Sequence, residues 1–147
     1  MEQLYIDLRD HIKARMADTV RMIDEDYGQP EACANGNDQY PIDTPCVLIG
    51  TPEVEWTNVK TKDSDSQLGK ATFTVRLAFD CYDDTHAGAP DNGDPARRAE
   101  AFGRLHRSIH GWMFSGCVTP CIRTASRAYT VGRLKIYEAT YRTEMED

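Results

Sequence analysis

The chain has 147 residues, of which 40% are hydrophobic and 28% charged, and its formal net charge is −7. This size and composition are typical of a single globular domain, which we place at residues 1–147. The acidic surplus opposes the basic surface that nucleic-acid binding requires, and no apolar run approaches membrane-spanning length. We therefore expect no sequence-specific nucleic-acid contact and no membrane anchor.

The cysteines predict reduced, mostly buried thiols. There are five of them, an odd number, and the sequence shows no secretory signal pattern. Cys117 and Cys121 are separated by three residues, which is the wrong spacing for a zinc knuckle, so this pair is interpreted as structural.

The first predicted element is an amphipathic helix over residues 3–25. An apolar stripe at helical spacing supports it, with Gly28 and Pro30 as the end signal. The stripe comprises Leu4, Leu8, Ile12, Met16, Val20 and Ile23. Residues 29–45 are rich in Pro, Asn, Asp and Gly and predict a loop.

Two strands joined by a long connection come next. The apolar run at 46–50 predicts a strand that continues, after a kink, through Val54 and Trp56. Residues 60–70 are polar and predict a flexible connection. The segment 71–84 (ATFTVRLAFDCYDD) then alternates, with only Ala78 as an exception on the polar side, and predicts a long strand with two different faces. Ala71, Phe73, Val75, Leu77, Phe79 and Cys81 would cover the core, while Thr72, Thr74, Arg76, Asp80 and Tyr82 would meet water or a partner.

The last elements are a second helix and two strands. Residues 83–95 are turn-rich, and Asp94 followed by Pro95 is a favourable helix start. The helix is predicted to end near Gly116, and two strands are predicted on either side of Val131 and Gly132. The order of elements predicts an α+β fold, an antiparallel sheet of about four or five strands with two main helices on one face.

Candidate catalytic groups are sparse. His106 and His110 share a helix face and could ligate a metal with His86 or Asp83 as a third ligand. Arg107, however, stands where zinc hydrolases of this type have glutamate. The oxygen-bearing side chains of Asp83, Asp84, Asp91, Asn92 and Asp94 lack the spacing of a calcium loop. No nucleophile motif, phosphate loop or dinucleotide fingerprint is present. We expect neither an enzyme nor a cofactor.

Four segments carry a resemblance to a known family. They are the N-terminal helix with Leu4, Leu8 and Ile12, the PCVLIG strand, the ATFTVRLAFDCYDD strand, and RRAEAFGRLHRSIHGW before the YEATYRTEME strand. Together they resemble the tail terminator (tail completion) family, minor tail proteins of long-tailed bacteriophages and prophages. The resemblance covers nearly the whole chain in order, length and texture.

The resemblance implies a structural virion-assembly protein without catalytic residues. Members of the family form a homo-oligomeric ring, usually a hexamer, that caps the tail tube and joins it to the head–tail connector. It also implies an acidic lumen, a location in the bacterial host cytoplasm during assembly and a final place in the virion tail. The tail tube protein, the connector protein and further copies of the chain are the expected partners.

Position in the predicted strands supplies the interface candidates, which are Arg76, Asp80, Tyr82, Trp56 and Tyr141. Two alternatives remain from the residues alone. One is a small dimeric ligand-binding or regulatory domain with a cleft near His106 and His110, and the other is a metal-dependent enzyme that uses these histidines with His86.

Overall fold

The computed structural model describes residues 2–36, 42–58, 66–81 and 94–146. The helices are α1 (Glu2–Met16), α2 (Gln29–Ala34) and α3 (Pro95–Ile109), and the strands are β1 (Met22–Glu25), β2 (Cys46–Ile49), β3 (Glu53–Asn58), β4 (Gln67–Asp80), β5 (Ile122–Val131) and β6 (Leu134–Glu146). No helix in these ranges is long and apolar enough to cross a membrane.

One six-stranded sheet has the order β1-β2-β4-β6-β5, with β3 paired beside the first half of β4. β4 and β6 form its centre and pair antiparallel from Leu68↔Glu146 to Asp80↔Leu134. The predicted α+β class is confirmed. The predicted sheet needs two corrections, because it has six strands rather than four or five, and β1 runs parallel to β2.

The first helix is shorter than predicted. α1 ends at Met16 rather than near residue 25, and residues 22–25 form β1. The helical spacing of apolar residues continues through Val20 and Ile23, although both residues lie beyond the end of the helix. Ile23 pairs with Val47 in the sheet, a contact between distant parts of the chain that local periodicity does not reveal.

A short helix occupies part of the predicted loop 29–45. α2 follows Gly28, whose φ of 81° lies in the left-handed region that glycine adopts without strain. Pro30 lies in its first turn, where proline removes no helical hydrogen bond. Pro30 therefore begins a helix here rather than ending one.

α1 and α3 pack on one face of the sheet, here called the first face. Asp94 caps α3 as predicted, since its side chain accepts a hydrogen bond of 3.0 Å from Ala96 N, but α3 ends at Ile109 rather than near Gly116. The core between helices and sheet includes Leu4, Leu8, Ile12, Leu105, Ile109, Phe73, Val75, Leu77 and Tyr141.

The opposite face of the sheet, here called the second face, is only partly polar. β4 covers residues 67–80 rather than 71–84, and its odd-numbered residues from Ala71 to Phe79 lie in the main core as predicted. Arg76 and Ala78, however, are also buried. A second apolar cluster of Cys46, Leu48, Ala78, Leu134 and Ile136 explains the burial at this end of the strand.

Candidate functional site

A row of paired residues crosses the second face from β1 to β5. The strand register aligns Asp24, Leu48, Arg76, Glu138 and Arg127 in that order. Side chains that lie opposite each other on neighbouring antiparallel strands are in contact distance. From Arg76 onward the row therefore carries alternating charges, positive, negative and positive.

Arg76 is the centre of a buried ionic cluster. Its Nε and Nη2 donate to the two carboxylate oxygens of Asp26 at 2.6 and 2.7 Å, and its Nη1 donates to Glu31 Oε1 at 2.6 Å. The Arg76 side chain is 7% exposed, against 15% for Asp26 and 51% for Glu31. The planar guanidinium thus ties α2 and the turn before it to the middle of the sheet.

A second layer of hydrogen bonds extends the cluster to β5. Arg76 Nη1 donates to the Tyr129 hydroxyl at 3.3 Å, and this hydroxyl donates to Glu138 Oε1 at 3.1 Å. Arg127 Nε donates to the other oxygen of Glu138 at 2.6 Å, and its guanidinium lies 4.8 Å from the centre of the Tyr129 ring. Glu138 of β6 therefore binds two residues of β5, and Tyr129 links it to Arg76 of β4.

The electrostatics of the cluster favour the charged forms of Arg76 and Glu31. The hydrogen bond from Arg76 holds the pKa of Glu31 below its ordinary value. Burial disfavours the charged form of Arg76, but its hydrogen bonds to Glu31 and Asp26 outweigh that effect and raise the pKa of Arg76. The cluster is suited to holding elements in place rather than to exchanging protons.

The remaining part of the second face is polar and lies largely in contact with solvent. Register pairs on it are Lys70 with Glu144, Thr72 with Arg142, and Thr74 with Thr140. Lys70, Thr72 and Arg142 are exposed, and the other three are half-buried. This face carries both charge signs, so it does not by itself form the acidic surface expected of a lumen.

Three of the described strands lie at edges of the sheet, the half-buried β1 and the more exposed β3 and β5. Among the described residues β3 pairs only with β4, and β5 pairs only with β6. Most residues of both strands are exposed. β3 carries Glu53 and Glu55 and no basic residue, while β5 carries Arg123 and Arg127 and no acidic one. The two edges therefore have opposite charge.

Trp56 lies on β3 with its side chain on the first face and 41% of its surface exposed. Its register partner is Gly69, where an added Cβ would lie 2.7 Å from the indole ring. Glycine on β4 thus lets the ring lie flat against the backbone of the neighbouring strand. The indole is partly covered by its own chain and partly available to another molecule.

The two helix histidines are engaged within the chain. Their ring centres are 4.8 Å apart, His106 Nδ1 is 3.1 Å from the Tyr141 hydroxyl, and His110 Nδ1 accepts from the amide of Arg123 at 3.2 Å. Burial and the neighbouring Arg123 lower the pKa of His106. No group of three or more possible metal ligands occurs in the described ranges, and His86 lies outside them.

The predicted interface residues fall in different environments. Tyr141 is fully buried in the core and Arg76 is buried in the ionic cluster, whereas Trp56 is exposed at the β3 edge. Asp80 is half-buried and lies 3.1 Å from Arg133. Tyr82 is outside the described residues, as are positions 83, 84, 91 and 92 of the calcium interpretation.

Sequence reasoning did not identify the partners of Arg76 or the charge difference between the edges. Asp26, Glu31 and Glu138 come from three separate elements, so no local spacing links them to Arg76. The absence of acidic residues from β5 and of basic residues from β3 is visible in the sequence. This charge difference can be interpreted only with the strand order, which places both strands at an edge of the sheet.

The fold has a relative among solved structures. A chain of a structure described as "Virion of native gene transfer agent (GTA) particle" superimposes with a TM-score of 0.60 and 14% sequence identity. The similarity covers 99% of this chain and 96% of the other, so the two share the same overall fold. No protein-family model matches the chain, and no curated protein matches its sequence.

Proposed function

We propose that this protein is a structural component of a phage-like particle. The single observation that carries the proposal is the fold shared, over nearly the full length of both chains, with a chain of a gene transfer agent virion. Fold similarity alone does not transfer a function. The proposal therefore also depends on the polar second face and the two exposed sheet edges, which are surfaces suited to contacts between subunits.

Within such a particle we propose the role of a tail terminator. Copies of the chain would form a ring, with six copies as the expected number, at the head-proximal end of the tail tube. The ring would stop tube growth and provide the surface to which the head–tail connector binds. The role requires contact surfaces rather than a reactive centre, and we infer that the protein is not an enzyme.

The proposed location follows from the same role. The protein would fold in the bacterial host cytoplasm, assemble onto completed tubes and remain in the virion tail. The net charge of −7 would keep the unassembled protein soluble through mutual repulsion. The polar part of the second face, with its threonines and paired charges, would then face either the lumen or a neighbouring layer of the particle.

Deletion of the gene from the host that produces the particles tests this role. Particles should then contain tubes of uncontrolled length that lack heads, and the gene supplied from a plasmid should restore tails of uniform length. Electron microscopy of negatively stained lysates measures both properties. Normal, head-bearing tails of uniform length in the deletion strain would contradict the proposal.

A further inference from the structure

We propose that neighbouring copies of this chain join by antiparallel pairing of the β3 edge of one copy with the β5 edge of the next. The inference rests on the proposed ring and identifies the surface that builds it. In the register we assign, Glu55 of one copy lies opposite the partner subunit's Arg127, and Trp56 lies opposite the partner subunit's Ser126.

Both edges are available for such pairing. Strand β3 has six residues and β5 has ten, and the outer side of each has no strand partner in the described part of the chain. An exposed edge presents unpaired N–H and C=O groups, which pair readily with another strand. Edge pairing therefore satisfies backbone groups that the single chain leaves to water.

The opposite charges of the β3 and β5 edges favour a second copy of this chain as the binding partner, and they determine which edges meet. Two β3 edges would bring Glu53 and Glu55 against the same residues, and two β5 edges would offer no acidic residue to Arg123 or Arg127. Like charges opposite each other on neighbouring strands are destabilising, and opposite charges are favourable. Of the three pairings that the β3 and β5 edges allow, only the β3–β5 junction is complementary. Such a head-to-tail contact produces a ring when its rotation closes.

Strand direction is consistent with the same junction. Across the sheet, β3, β4, β6 and β5 alternate in direction at every step, because each pair is antiparallel. An even number of alternating strands leaves β3 and β5 pointing in opposite directions. Copies related by rotation about an axis along the strands would therefore meet with β5 antiparallel to β3, and every junction in the ring would be alike.

Face and register agree as well. Glu55 pairs with Lys70 and Arg127 pairs with Glu138, so both charges lie on the second face. Trp56 pairs with Gly69 and Ser126 with Ala139, so both lie on the first face. The junction that aligns Glu55 with the partner subunit's Arg127 thus places the Trp56 ring beside small residues, since Ser126 and Ala128 are exposed on β5.

The assigned register also continues the charge row. Within one chain the row runs Arg76, Glu138, Arg127, and on the β3 side another runs Glu55, Lys70, Glu144. The junction joins these rows end to end. Every charge in the joined row then has neighbours of opposite sign. Parallel pairing of the same two edges, or a shift of the register by one residue, would not give this pattern.

Hydrogen exchange of the full-length protein, combined with mass measurement by light scattering, tests the junction. At concentrations where rings form, exchange of outward-facing amides in β3 and β5 should slow at least tenfold relative to the monomer. Rings that form without slower exchange in these strands would overturn the edge junction and leave the proposed ring intact. No assembly at any concentration, alone or with tail tube protein, would overturn both.

A double-variant cycle tests the register. Glu55→Gln and Arg127→Gln should each lower the association constant per junction about threefold, and the double variant should resemble either single one, because both remove one contact. Arg142→Gln, which removes an exposed charge from the same face away from the edges, is the matched control and should have no effect. Effects of the two edge variants that multiply would refute the assigned register.

Discussion

Replacement of Arg76 by methionine tests how the second face is held together. Methionine keeps an unbranched side chain of similar length but cannot donate to Asp26 or Glu31. The 7% exposed guanidinium makes bonds of 2.6 and 2.7 Å to Asp26, whose side chain is only 15% exposed. The variant therefore leaves a largely buried carboxylate without its cation, while Glu31, at 51% exposure, regains water more easily.

The expected loss follows from these exposures. Removing one partner of a buried ion pair costs about 3–5 kcal/mol. Because half of Glu31 is already in contact with solvent, we take the lower end and expect about 3 kcal/mol from the free energy of unfolding. For a domain of this size the midpoint of thermal unfolding should fall by about 6–12 °C. Arg142→Met, at an exposed position on the same face, should change the free energy by less than about 0.5 kcal/mol.

Urea unfolding, followed by circular dichroism over a series of pH values, measures the effect. Arg76 lowers the pKa of Glu31, so this carboxylate contributes stability above its ordinary value of 4.5 and loses it as the pH falls through its lower folded pKa. The difference in the free energy of unfolding between wild type and the Arg76→Met variant should therefore become smaller below pH 4.5. A loss below about 1 kcal/mol at pH 7, or a difference that does not vary with pH, would refute this account of the cluster.

Three further predictions concern parts of the fold outside the ionic cluster. Burial beside Trp112, with Arg15 nearby, lowers the pKa of His11. The NMR titration midpoint of His11 should therefore lie below 6.5, and the protein should lose stability as the pH falls below that value. A midpoint at or above 6.5 would contradict this prediction. Gly50→Ala should lower the free energy of unfolding in urea by about 1–3 kcal/mol. The new Cβ would lie 2.7 Å from Thr74 Oγ1 and 3.1 Å from the Thr74 carbonyl oxygen. Unchanged stability would contradict this expectation. Tyr141→Phe should lower the free energy of unfolding in the same assay by about 1 kcal/mol, because it removes the contact with His106. Assembly should be unchanged. A loss of assembly at unchanged stability would instead assign Tyr141 to an interface.

Local sequence signals predicted the elements that depend on local chemistry. The alternation from Ala71 to Phe79 identified the central strand, and the cap formed by Asp94 and Pro95 identified the start of α3. The strand pair on either side of Gly132 was also predicted correctly, because a glycine with positive φ makes the turn between β5 and β6.

Long-range contacts account for the elements that were predicted wrongly. The stripe through Val20 suggested a longer helix, but β1 forms because it pairs with β2, more than 20 residues away. Arg76 was assigned to the solvent face by its place in the alternation. It is buried because α2 lies within the segment that was predicted to be a loop, and Glu31 of this helix binds it.

Immunogold labelling of purified particles tests the central claim most directly. An antibody against this protein, viewed by electron microscopy, should label a single position on each particle, at the junction of the tail tube with the head, and tubes that have completed growth should carry the label before heads attach. Label distributed along the tube, at its distal tip, or missing from intact particles would contradict the claim that this chain caps the tail.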